Sequence, residues 1–462
     1  MPTRPRRSLF HHPNYRRLWA AATVSLFGTQ VSQIAIPFIA AVLLNASAGE
    51  VGLLTTIEFL PFLLFTLPAG VWVDRFPKKR ILVIGDLGRA VMLASIPIAY
   101  FVGGLTIWQL YLVGFVNGVM TVFFDVADQS YLPTILERDE LVEGNSKLQI
   151  SQSSAQILGQ PFGGGIVAVL TAPVAVFIDA VSYLGSAALI LSIRERVRTA
   201  ASAFGATVPP SDPAAVLIAT ESDNVAPSPT AGASVAVEAA AAAEKPAQDA
   251  GGMRQQIMDG LRYILRHEYL GNIAATTATS NLFGNIAFAI FPVFAYKVLL
   301  LSPAEVGTIG GLGGAGVLLG ALGANRVQAR LGVGRTIILS AAATGPVGLL
   351  MPLASPGTAF WLLAVSFFLG GGLNVMYNVA QVSLRQAITP EHFLGRMNAT
   401  MRFLVWGTIP IGSLIGAGLS EVIGVQATVW VGSGLMTLAF LPVLFSRVRG
   451  IRTIPTEEPA AG

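Results

Sequence analysis

The stretch Gly70-Val71-Trp72-Val73-Asp74-Arg75-Phe76-Pro77-Lys78-Lys79-Arg80 interrupts an otherwise apolar part of the chain. Residues 51–73 carry a single ionisable group, Glu58, and residues 81–102 carry Asp86 and Arg89. Each flanking run supplies the ~20 mostly apolar residues that a helix needs to cross a hydrocarbon layer about 30 Å thick. Pro77 stiffens the link between them. The stretch reads as a short polar turn between two antiparallel membrane helices that end on the same face.

Read outward from that turn, the chain gives twelve spans, roughly 18–44, 51–73, 81–102, 107–128, 148–170, 173–193, 271–297, 305–325, 336–353, 359–381, 399–420 and 427–446. Their connections are mostly short, which suits an antiparallel helical bundle. The first run is too long for a signal-peptide core and has no small-residue cleavage site after it, so it reads as a retained first helix. Composition agrees. Of 462 residues, 53% are hydrophobic and 12% charged, the latter about half the share usual in soluble domains. That excludes an ordinary soluble enzyme, a disordered chain and a fibrous one. A net charge of +4 on so apolar a chain points to no nucleic-acid partner. Without Cys, no disulfide, thiol chemistry or Cys-ligated metal is available.

The charges set the topology. Arg4, Arg6, Arg7, Arg16 and Arg17 precede helix 1, and Arg75 to Arg80 join helices 2 and 3. Arg194, Arg196 and Arg198 follow helix 6; Arg326, Arg330 and Arg335 flank the turn from helix 8 to 9; Arg447, Arg449 and Arg452 follow helix 12. Only Lys297 sits clearly on the other side. Excess basic charge marks the cytoplasmic face, so both termini are expected in the cytoplasm, and an even number of spans requires the same. Residues 199–252 are rich in Ala, Pro, Ser and Thr and read as a disordered linker. Residues 253–268 read as a short surface helix. The expected organisation is an arm 1–17, a six-helix half 18–196, a linker 197–268, a second half 269–446 and a tail 447–462.

The halves repeat at an offset near 255. Leu26-Phe27-Gly28 and Pro37 correspond to Leu282-Phe283-Gly284 and Pro292. Ser47 and Glu50-Val51-Gly52 match Ser302 and Glu305-Val306-Gly307, and Arg75 and Arg80 match Arg330 and Arg335. Asp125-Val126-Ala127-Asp128 aligns with Asn378-Val379-Ala380-Gln381, and Asn145 with Asn398. Two parallel six-helix repeats describe a secondary transporter whose halves rock about a midplane site.

With the repeat in place, the loop at Gly70, Asp74, Arg75 and Arg80 resembles the Gly-x-x-x-Asp-Arg/Lys-x-Gly-Arg-Lys/Arg motif of the major facilitator superfamily. Pro77 stands where Gly is usual, and the second copy, Ala329 to Arg335, has lost the Asp. The resemblance covers nearly the whole chain outside the linker and implies an all-α membrane protein, twelve helices in two pseudo-symmetric halves. Gly159-Gln160-Pro161-Phe162-Gly163-Gly164-Gly165 resembles the Gly-Pro-x-x-Gly-Gly motif of that family's antiporters, with Gln160 in place of the first Gly. This gives Pro161, Gly164 and Gly165 a gate or a close-packing role. The intramembrane Arg usual in helix 4 of proton antiporters is absent between Tyr111 and Gly118. Pro133, Glu140-Leu141, Asn145, Gln386, Pro390-Glu391, Gly395-Arg396 and Asn398 resemble the branch of enterobactin-exporter-like and macrolide-efflux-like transporters.

Ionisable groups at membrane depth are costly and mark function by default. Glu58, Asp125 and Asp128 are the proton-coupling candidates. Asp86 and Arg89, three apart in helix 3, pair on one face and read as structural or gate-related; Asp179 in helix 6 reads as structural. Asp74 ends helix 2, where it can meet basic groups or a helix N-terminus in one gate state. Arg402 and Glu421 fall at interface level. Amide stripes recur: Gln30 and Gln33 in helix 1; Asn117 and Thr121 ahead of the two acids in helix 4; Asn281 and Asn285 in helix 7; Asn374, Asn378 and Gln381 in helix 10. Such groups avoid lipid, so they line the central path or bond between helices. Trp406 adds an aromatic wall or a core contact. Gly310/Gly314, Gly316/Gly320 and Gly412/Gly416 are close-packing pairs.

No phosphate-binding Gly-rich loop followed by Lys-Ser/Thr is present, so the chain is not itself an ATP-driven pump. The four His lack metal-ligand spacing. The reading is a monomeric secondary transporter in a bacterial cytoplasmic membrane, without cofactor. It exports a small amphipathic molecule, a drug or siderophore, on the proton gradient. Nutrient uptake and lysolipid flipping are the alternatives within transport; a membrane-integral enzyme or receptor is the remote one. Arg outnumbers Lys 24 to 5, in keeping with a GC-rich bacterial genome.

Overall fold

The computed structural model describes residues 9–73, 75–136, 140–194 and 261–453. Among them the regular structure is helical throughout. Ten helices are long and apolar enough to cross a membrane. In chain order they are α1 (Pro13–Leu43), α2 (Ala48–Val73), α3 (Lys78–Val102), α4 (Ile107–Ile135), α6 (Ala172–Leu191), α7 (Leu270–Val298), α8 (Pro303–Leu331), α10 (Ala359–Ile388), α11 (Glu391–Ile423) and α12 (Val425–Leu444). Two further helical segments complete six per half. The first, α5 (141–170), begins with the polar turns Leu141–Ser154; the second, α9 (Val333–Gly348), has 16 residues. Polarity in one and shortness in the other keep them below the bare requirement for a span.

Several helices outrun the apolar runs that announce them. The 29 residues of α4 rise about 44 Å at 1.5 Å each, well past a ~30 Å hydrocarbon layer. The excess of α4, α8, α10 and α11 lies on the side of the chain termini, called here the terminal end; the opposite side is the far end.

The repeat extends to backbone detail. The last turn of α1, Ile39–Leu43, is π-helical, and so is Phe294–Val298 at the end of α7, an offset of 255 (294 − 39). Asn45 and Leu300, again 255 apart, both have positive φ, 50° and 58°. Reciprocal caps then open the next helices. Ser47 N and Glu50 Oε2 lie 2.8 Å apart, with Glu50 N returning to Ser47 Oγ; Ser302 N and Glu305 Oε2 do the same at 2.8 Å. Each cap satisfies backbone donors that a helix start leaves orphaned. Leu9 and Ile264 are also 255 apart and are both buried, so the end of the segment expected as a surface helix packs as the counterpart of the N-terminal arm. The rest of that segment and the 199–252 linker lie outside the described residues.

Three apolar cores show how the halves meet. One gathers residues of both halves, including Val31, Ile34, Val51 and Leu110 with Ile290, Phe294, Ile309 and Leu363, all near the far end. The other two lie at the terminal end, and each belongs to one half. Leu9, Leu18, Leu82, Tyr131 and Ile190 form the first; Ile264, Leu270, Ile337, Leu384, Met401 and Val448 form the second. The halves are therefore joined at the far end and hold separate cores at the terminal end. The joining seams are α2 on α11 and α5 on α8.

Candidate functional site

At the far end the seams rest on small residues. A methyl group added at Gly164 of α5 would run into the Pro303 carbonyl of α8. One at Gly307 or Gly310 would meet Gln160, and one at Gly311 would meet Pro161. The motif residues of α5 thus lie in a glycine groove of α8. Gly165 has nothing within 4 Å of such a methyl group, nor has Gly70. The opposite face of α8 packs on α10 through Gly316 and Gly320, and Gly412 and Gly416 bring α11 against α7. On the α2–α11 seam Gly52 faces Ala417, and the Glu421 carboxylate accepts from Gly49 N at 2.7 Å, at the start of α2. Lys297 of α7 donates to Asn45 Oδ1 at 2.7 Å and to the Ala46 carbonyl at 2.8 Å.

Among the described residues, these pairs at the terminal end join groups of the same half. Lys79 donates to the Leu191 and Ile193 carbonyls at 3.0 and 2.7 Å, and Arg17 to Ser192 at 2.8 Å. In the second half Gly334 N donates to Ile451 and Arg447 pairs with Glu268 at 2.6 Å. Arg75 and Arg80 are exposed. Asp74, the acid expected at this gate, lies outside the described residues.

The first half contains a charge network centred on a buried pair. Arg89 pairs with Asp86 at 2.5 Å, both nearly inaccessible. Its guanidinium lies 4.2 Å from the Phe124 ring of α4 and 4.3 Å from the Tyr183 ring of α6. Asp125 and Asp128 of α4 fall within the electrostatic reach of this pair. The Tyr183 hydroxyl bonds Thr29 of α1 at 2.8 Å, and Asp179 accepts from Ser32 of α1 at 2.5 Å and from Ser182 at 3.0 Å. Gly28 permits this approach, since a methyl there would strike Asp179 and Ser182. Five acids and bases that the sequence assigns separately to α3, α4 and α6 thus form one unit. Glu58 stands apart. Its side chain lies over Gly114 of α4, and its carboxylate has no hydrogen-bond partner among the described residues.

The amides divide. Gln30 is buried against Gly159, whereas Gln33 is exposed. Asn281 donates to the Val405 carbonyl of α11 at 3.2 Å and Asn285 to Asn281 at 2.8 Å, so this pair bonds within and between helices. Thr121 donates to the Asn117 carbonyl at 2.8 Å, while Asn117 Oδ1 is buried without a donor among the described residues. In α10 Asn378 donates to Asn374 Oδ1 at 2.9 Å, and Gln381 to Asn378 Oδ1 at 3.3 Å. Asn374 is exposed; Gln381 is 3% exposed. Trp406 packs at a tilt against Phe62 across the halves, ring centres 5.4 Å apart. Sequence reading missed Tyr183, Phe124, Thr29 and Ser32, which are ordinary core types until a charge is seen beside them.

A family model described as Major Facilitator Superfamily matches residues 18–299 and 269–461. The chain is 24% identical over 442 residues to the multidrug efflux pump Tap of Mycolicibacterium fortuitum, covering 94% of this chain and 95% of that protein. It is 28% identical over 141 residues to macrolide efflux protein A of Streptococcus pyogenes, 30% of this chain and 35% of that one. Among solved structures, a bacterial homologue of the iron transporter ferroportin in its inward-facing state shares the fold with a TM-score of 0.68 at 14% identity, covering 95% of this chain and 99% of that one.

Proposed function

The chain belongs to the major facilitator superfamily, membrane transporters of small molecules rather than enzymes, and from this we propose that it exports an amphipathic molecule by proton-coupled alternating access. One observation carries the reading: a single core joins the halves at the far end, while each half keeps its own core at the terminal end. A bundle closed at one end and divided at the other is one of the two states that rocking halves require. The basic residues cluster at the terminal end, which by the positive-inside rule supports a cytoplasmic position for that end and for both termini. In this reading the divided end opens to the cytoplasm, the side from which an exporter takes its cargo. The full-length relative is named an efflux pump, which supports the same direction.

Gln33, Asn374 and Asp125 are exposed at membrane depth. Amides and carboxylates do not face hydrocarbon cheaply, so these groups line the path. Phe62 and Trp406 supply an apolar wall. Glu58, Asp125 and Asp128 carry the proton in this reading.

The test has two arms. A deletion strain screened against a broad set of toxic compounds becomes more sensitive to at least one. Everted vesicles then accumulate that compound on an imposed pH gradient, and Glu58→Gln or Asp125→Asn lowers the accumulation. Vesicles indifferent to the gradient would sink the coupling. Substrate flux directed into cells would replace export by uptake.

A further inference from the structure

The charge network of the first half, buried at Asp86, Arg89 and Asp179 and open at Asp125, holds more negative than positive charge among the described residues. Arg89 pairs with Asp86 and lies against Phe124 of α4; Asp125 follows Phe124 in the chain, Asp128 lies one turn further on, and both stand within the electrostatic reach of the pair. This guanidinium is held on three sides. The Phe124 and Tyr183 rings lie 4.2 and 4.3 Å from it, and Asp86 holds it at 2.5 Å. Ring faces and a carboxylate bind a planar guanidinium more specifically than an ammonium. Tyr183 in turn bonds Thr29, so the clamp reaches α1.

The second half shows that these residues go together. The counterparts of Asp86 and Arg89, at an offset of 255, are Ala341 and Thr344; those of Asp179 and Tyr183, at the 253 set by the helix starts after Thr171 and Gly424, are Gly432 and Met436. Asp125 and Asp128, at 253, correspond to Asn378 and Gln381. No member of the charged unit is kept on its own at these positions. Isolated packing residues need not be replaced as a set, whereas residues that act on one another do.

We propose that Arg89 is the positioning residue of proton coupling, a clamped countercharge that sets when the α4 acids Asp125 and Asp128 bind and release their proton. The inference rests on the proton-coupled reading above. The step is a simple one: a carboxylate takes a proton from the water of one compartment, an O–H bond forms, and the same bond breaks toward the other compartment. Among the described residues, these charged or titratable groups act on the cluster. On α3 these are Asp86 and Arg89; on α4, Asp125 and Asp128; on α6, Asp179 and Tyr183. α1 contributes the hydroxyls of Thr29 and Ser32. On α2, Glu58 lies against Gly114, eleven residues from Asp125 and so about 16 Å along α4.

The protein has no native Cys, so the full chain accepts a label pair directly. Gly104→Cys and Gly357→Cys put spin labels in far-end loops of the two halves, at exposed positions with open space around them. The probe is the proton: the label distance is followed from about pH 5 to about pH 9 in lipid nanodiscs. The parent protein is expected to change its far-end population with a definable midpoint. Arg89→Gln removes the countercharge, so the acids keep their proton to higher pH and the midpoint rises by about one to three units. Arg89→Lys keeps the charge and returns the midpoint toward that of the parent. Where Arg89→Gln does not fold, Phe124→Leu loosens the clamp with every charge in place and raises the midpoint by a smaller step. Folded variants that all retain the parental midpoint overturn the role of Arg89. A parent protein with no pH response overturns the coupling reading itself, and this inference with it.

Discussion

Lys297 at the end of α7 and Asn45 at the end of α1 meet across the halves at 2.7 Å, from Nζ to Oδ1. The contact is possible because Asn45 adopts a positive φ of 50°, which Asn tolerates better than most residues. Lys297 also donates to the Ala46 carbonyl, so two bonds from one ammonium cross the far-end seam. Lys297→Met removes both and leaves the stem. We expect a shift of about tenfold or more toward separated far-end loops, the low end for a hydrogen bond from a charged group, about 1.5 kcal/mol. Distance distributions between labels at Gly104 and Gly357 measure it; an unchanged distribution would mean that this contact does not restrain the gate.

Glu421 tests the other seam. Its carboxylate accepts from Gly49 N at the start of α2, where an anion satisfies orphaned donors and the helix dipole. Glu421→Gln keeps an acceptor oxygen and loses the charge, so it is expected to act mildly. Glu421→Ala loses both and is expected to shift the population toward the open far end by about 1 kcal/mol. High salt narrows the difference between wild type and Gln, because the group is exposed and its field is screened. Equal effects of Ala and Gln would show that the hydrogen bond contributes little.

Much of this was legible before any coordinates. Apolar runs near 20 residues, the basic turns and the offset of 255 came from the order of residue types, because lipid permits little else at those lengths. The juxtaposition of Asp86 and Arg89 with Asp125 and Asp128 was not legible. It depends on the register of α3 against α4, set by Gly85 lying on Phe124 and Gly88 on Met120; neither glycine announces its partner in sequence. The early start of α5 was hidden for a related reason. Leu141–Ser154 is polar, and it is held by tertiary contact, including the bond from the Tyr15 hydroxyl to the Gly144 carbonyl at 2.9 Å. Glu421, read only as interface-level, gained meaning when α11 was seen to end beside α2.

The α10 amides give a prediction about substrate rather than coupling. Asn374, Asn378 and Gln381 form a ladder, and Gln381 Oε1 has no donor among the described residues. An unpaired buried acceptor costs about 1–3 kcal/mol, which a substrate hydroxyl or ammonium group would recover. Gln381→Leu is expected to raise KM about tenfold with little change in the pH dependence of transport. A changed pH profile at constant KM would assign Gln381 to coupling instead.

The two adjacent motif glycines of α5 separate gate from decoration. Gly164 lies against the Pro303 carbonyl of α8, and a Cβ there would overlap the backbone. Backbone cannot yield as a flexible side chain does, so Gly164→Ala must hold α5 and α8 apart at the far end. Gly165 has open space at the same point, and alanine is the better helix former by about 1 kcal/mol. Gly164→Ala is therefore expected to abolish most transport while the protein stays folded, with the far-end labels driven apart. Gly165→Ala is expected to transport as well as the parent and to melt at the same or a slightly higher temperature. The contrast rests on one structural state, the far end closed. If both alanines are neutral, that closed seam is not an obligatory stage of the cycle.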